Sequence, residues 1–112
     1  MMNVPEPAAV KAWGELPGQR NLPGALQVLV AGQSVGGAEP VGAEWRACWY
    51  TAAFRDRCTA HPTAEEAVAA VLASGLARRL GARKASRVYW SDKARRRAVK
   101  GTTAANAPRR SQ

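Results

Sequence analysis

The sequence predicts an α+β fold: a small antiparallel sheet of about three strands, packed by one long amphipathic helix and followed by a basic C-terminal extension. Three observations predict it. A glycine-bounded apolar run and a stretch of alternating hydrophobicity read as strands, residues 63–80 carry a full helix signature, and the excess positive charge is confined to the last third of the chain.

A chain of 112 residues fits one domain. The reading divides it into a compact α+β domain over 1–81 and a basic extension over 82–112, partly helical with a flexible end. Aromatic residues are only 6% of the sequence and many apolar residues are alanine, so burial is expected to rest on a few large side chains such as Leu26, Val28, Trp45, Val68 and Val71. No run reaches the roughly 20 apolar residues that span a bilayer, and the first dozen residues lack a basic start and an apolar centre. The expected location is cytoplasmic, with no membrane partner. In a reducing compartment Cys48 and Cys58 read most simply as buried thiols, too few for a disulfide framework.

The first element expected is a short helix between Pro5 and Leu16, with Ala8, Ala9, Ala12, Trp13 and Leu16 on one side. Pro17-Gly18 and Pro23-Gly24 mark turns. The run 25–31, ALQVLVA, is rich in branched apolar residues and reads as a buried strand; 32–42 reads as a loop. From Glu44 the chain alternates, with Trp45, Ala47 and Trp49 facing one way and Arg46, Cys48 and Tyr50 the other. A further extended piece follows from about Phe54 to His61. A hairpin centred near Ala53 would make Cys48 and Cys58 cross-strand neighbours and bring Arg55 and Arg57 near Tyr50.

The helix signature is complete. Thr63 is an N-cap with Glu66 three residues on, Glu65 adds charge to the first turn, and Val68, Val71, Leu72, Leu76 and Leu80 form one apolar stripe ending at Gly81. Beyond it, 87–90 reads as a short strand, and Ser91 caps a brief helix from Asp92 to Lys100 that stops at Gly101. That last helix is too charged to join a core and should stay marginal until an anion arrives. The order helix, strand, strand, strand, helix is shared with double-stranded-RNA-binding domains and other small sheet-plus-helix modules. The likeness is one of topology, and Glu65 and Glu66 stand where such domains carry lysines at the helix start.

Catalytic, cofactor and metal sites are not expected. Gly32-Gln33-Ser34-Val35-Gly36 matches the nucleophile elbow G-x-S-x-G, but no helix follows the serine. Cys48, Cys58 and His61 lack the close cysteine pair of a zinc site. Trp45 and Trp49 share a face and pack most economically under the long helix.

Charge distribution carries the functional reading. The net charge is +9, yet residues 1–77 hold five basic against seven acidic side chains, whereas residues 78–112 hold twelve basic side chains against Asp92 alone. The expectation is a non-enzymatic, nucleic-acid-associated protein that grips phosphate backbone, DNA or RNA, with low sequence specificity. Its contacts would be Arg78, Arg79, Arg83, Lys84, Arg87, Lys93, Arg95, Arg96, Arg97 and Lys100, with Tyr50, Tyr89 and Trp90 available for stacking. An acidic or nucleic-acid-bound protein complex fits the same charge, and no small-molecule substrate is indicated. The alternative is a small phage or mobile-element inhibitor or adaptor, of anti-CRISPR or other anti-defence type, acting by protein–protein binding.

Overall fold

A computed structural model of the chain describes residues 8–51, 56–82 and 88–99. It replaces the expected three-stranded sheet under one long helix with a six-stranded mixed sheet and three short helices. The strands are β1 (Ala8–Ala12), β2 (Leu26–Val30), β3 (Gln33–Val41), β4 (Glu44–Tyr50), β5 (Asp56–His61) and β6 (Val88–Trp90). The helices are α1 (Ala64–Leu72), α2 (Gly75–Arg79) and α3 (residues 92–99). Strand order is β5-β4-β3-β2-β1-β6, antiparallel throughout except that β6 lies parallel to β1.

Two strands account for the difference in the sheet. Of the expected N-terminal helix, residues 8–12 are instead β1 and residues 13–16 lie in the turn that follows; in β1 Ala8, Val10 and Ala12 are buried and alternate with half-buried Ala9 and Lys11. Pairing on both sides, to β2 and β6, gives this short segment more hydrogen bonds than an isolated helix of its length could keep. The expected loop 32–42 is mostly β3. It turns back from β2 through two residues, Ala31 (φ 53°) and Gly32 (φ 78°), with Val30 paired to Gln33. Positive φ at both positions matches the twist that antiparallel strands require of a two-residue hairpin. The register then slips: Leu29 pairs with Ser34 but Val28 with Gly36, so Val35 is an extra, fully buried residue in a bulge.

Other expectations hold. The buried run is β2, all five of whose residues are buried because it is a central strand. The β4–β5 hairpin has the register inferred from Ala53, with Cys48 opposite Cys58, although residues 52–55 lie outside the described part. Thr63 caps α1, its Oγ1 accepting from Glu66 N at 3.1 Å.

The long helix does not run through. After Leu72 the chain leaves the helix, and Ser74, extended at φ −67° and ψ 158°, caps a new one by accepting from Ala77 N at 3.3 Å. Serine followed by glycine favours such a restart over helix continuation. The stop at Gly81 is as read: Ala82 N donates to Ala77 O and Gly81 N to Arg78 O, closing a Schellman motif with Gly81 at φ 111°.

The helices form one layer on the sheet. Trp45 is fully buried beneath it and Trp49 packs against the same cluster, as expected of their shared face. Small side chains dominate: Ala38, Ala47, Ala64, Ala67, Ala77, Ala94 and Ala98 are all buried, whereas Leu72, Leu76 and Leu80 are only partly so. Alanine on both layers lets helix and sheet approach closely, so the core rests less on large residues than composition suggested.

Candidate nucleic-acid interface

Among the described residues, the cations of the basic segment lie on two helices with β6 between them. Arg78 and Arg79 are exposed in the last turn of α2, where cations complement the negative end of the helix dipole. The parallel pairing of β6 then starts beside Ala8 and ends beside Val10, where Ser91 N donates to Val10 O at 3.0 Å. Ser91 caps α3, its Oγ accepting from Ala94 N at 3.1 Å and donating to Glu15 Oε1 at 2.8 Å. The same Glu15 oxygen accepts from Ala12 N at 3.0 Å, so one carboxylate joins the end of β1 to the start of α3.

Helix α3 is therefore not the marginal, unburied element its charge suggested. Ala94 and Ala98, four residues apart, turn into the common core, while Lys93, Arg95 and Arg96 stay exposed. Two small residues suffice for docking because β6 and the Ser91 cap already hold the helix start in place. Arg95 Nε donates to Trp90 O at 3.3 Å, which positions the guanidinium without neutralising it.

Arg97 behaves differently. Its Nη1 donates to the carbonyl oxygens of Trp13, Leu22 and Ala25 at 3.2, 3.0 and 2.7 Å, and Nη2 to Asn21 Oδ1 at 3.0 Å. It is the clip that fixes the 13–25 loop, not a surface cation free for a phosphate. Gln19 of that loop and fully buried Gln27 of β2 bond reciprocally through their carboxamides at 2.8 and 3.0 Å. Neither role has a local sequence signal, because each joins residues whose neighbourhood is set only by the strand order.

No family model, curated protein or solved structure matches this chain.

The remaining site candidates are scattered. Arg83, Lys84, Arg87 and Lys100 lie outside the described residues, as do Phe54 and Arg55. Tyr89 is exposed on the sheet face away from the helices, paired beside Ala9, whereas Trp90 points to the helix side and is half-buried against the core. Tyr50 is exposed on the same outer face as Tyr89, but four strand spacings away, or about 19 Å. The two tyrosines therefore do not form one stacking platform. Arg46 is ion-paired to Glu39 on the neighbouring strand. Arg57 pairs with Trp49 and so faces the helix side, away from Tyr50, contrary to expectation.

Ser34 lies within β3 and not at a strand-to-helix turn. His61 Nε2 hydrogen-bonds Thr59 Oγ1 at 2.6 Å, and both cysteines are consumed in a disulfide, which corrects their reading as buried thiols: Cys58 is exposed. Among the described residues no helix is long and apolar enough to cross a membrane.

Proposed function

We propose that the protein binds the phosphate backbone of nucleic acid, DNA or RNA, with little sequence preference and without catalysis, through exposed cations presented by α2 and α3. The observation that carries this reading is the state of α3: Lys93, Arg95 and Arg96 are held exposed on a helix whose other side is locked into the core, and the one ion pair among the described residues is Glu39–Arg46. Cations so placed keep their charge for an external anion, and a rigid support lowers the entropic cost of meeting it. Arg78 and Arg79 supply further charge, and the sequence adds Arg83, Lys84, Arg87 and Lys100. Tyr89 is the one exposed aromatic within this part of the chain. Arg97 and Trp90 drop out of the contact set, being committed to the loop and the core. The cytoplasm is the location in keeping with such a partner.

Fluorescence anisotropy with labelled DNA and RNA at rising salt tests the proposal. Binding at low salt that weakens steeply as salt rises supports it. Absence of binding at low salt overturns it, and a stoichiometric protein partner that survives nuclease and high salt would replace it with the inhibitor or adaptor reading.

A further inference from the structure

We propose that the Cys48–Cys58 disulfide is a reducible clasp that locks the edge strand β5 onto β4, and that its cleavage by a dithiol releases β5 while the rest of the sheet stays folded. The bond joins directly paired residues of the two strands, with Cα atoms 4.1 Å apart. Its surroundings are open on both sides. Cys58 is exposed, and half-buried Cys48 lines a shallow cleft of about 100 Å³ with Trp13, Ser34, Gly37 and Tyr50. Exposed disulfides are the ones that thiolates reach and that cycle with ambient redox poise.

Beyond its ladder to β4 and its junction with α1 at half-buried His61, little holds β5. Arg57, Cys58, Thr59 and Ala60 are all exposed, and no described residue of β5 belongs to the buried core. As an edge strand it has one ladder, to β4. By contrast β1, β2, β3 and β4 each contribute fully buried side chains. Local opening follows burial, so β5 is the strand whose retention depends most on the covalent tie.

The chemistry balances with a dithiol as reductant. Its first thiolate attacks Cys58 Sγ, forming a mixed disulfide as the bond to Cys48 breaks and Cys48 Sγ leaves as a thiolate. The second thiol, deprotonated, then attacks the reductant's sulfur in the mixed disulfide and releases Cys58. Two electrons pass to the protein, both cysteines end as thiols, and the dithiol ends as its own disulfide.

Hydrogen exchange of the full chain, with and without dithiothreitol, tests the clasp. Reduction is expected to speed exchange of the 57–61 amides by about 100-fold, the scale of a staple closing so short a loop, with β1 to β3 unchanged. The double variant Cys48→Ser/Cys58→Ser should exchange like the reduced protein and ignore the reductant. Unchanged β5 exchange on reduction would overturn the proposal, and so would loss of protection across β1 to β3, which would make the bond a global staple.

Discussion

Arg97 Nη1 donates to the carbonyl oxygen of Ala25 at 2.7 Å, joining helix α3 to the far end of a loop 72 residues earlier in the chain. A basic side chain in a basic segment is thereby withdrawn from the surface to complete the fold. Replacing it with alanine leaves the carbonyls of Trp13, Leu22 and Ala25 without their charged donor, a loss of about 2–3 kcal/mol in unfolding free energy. Arg97→Lys should recover little of this, since one ammonium cannot reproduce the guanidinium fork. Chemical denaturation of both variants checks it; near-wild-type stability in Arg97→Lys would show that only the charge matters.

Gly36 on β3 packs beneath Val71 of α1 with no room for a side chain. A Cβ there would collide with the Cys48 carbonyl oxygen and lie 2.9 Å from Val71 Cγ1. Gly36→Ala should destabilise the fold by about 2–3 kcal/mol, the cost of overpacking a site with backbone on one side. Gly18→Ala, with nothing within 4 Å of its Cβ, is the comparison for a surface position of positive φ (80°). Thermal unfolding should place Gly36→Ala well below it.

Ala31 is the one described non-glycine residue with positive φ. Ala31→Asn should raise stability by about 1 kcal/mol, because asparagine tolerates the left-handed region that alanine resists. A higher denaturation midpoint with an unchanged slope is the expected result.

These sites show where sequence reasoning reached and where it stopped. Caps were legible because Thr63, Ser91 and Gly81 act within a turn of their own position. The β4 face pattern and the Cys48–Cys58 register were legible for the same reason, being set by alternation and a short hairpin. The β2–β3 hairpin was missed because Ala31-Gly32 lacks the usual asparagine signal, and β3 itself because Gly36, Gly37 and Pro40 are poor strand formers retained for close packing and an edge of the hairpin. The N-terminal strand was missed since five alanine-rich residues fit a helix as well as a strand until β2 and β6 flank them. The break at Ser74 was open to view: a serine and glycine inside the apolar stripe form a second cap. Of the site, the exposure of Lys93, Arg95 and Arg96 was legible from the charge pattern, while the burial of Ala94 and Ala98 and the diversion of Arg97 depend on contacts remote in sequence.

Cutting the chain after Gly81 would remove part of the core together with the cations, because Ala94 and Ala98 belong to that core. The direct measurement is the salt dependence of nucleic-acid affinity in the full chain and in Lys93→Ala/Arg95→Ala/Arg96→Ala, whose exposed side chains can be removed without opening the core. The log–log slope of affinity against salt should become shallower by about 0.9 for each of the three that meets a phosphate of duplex DNA. Identical slopes and affinities in the two proteins would contradict the assignment of α3 as the phosphate-binding element.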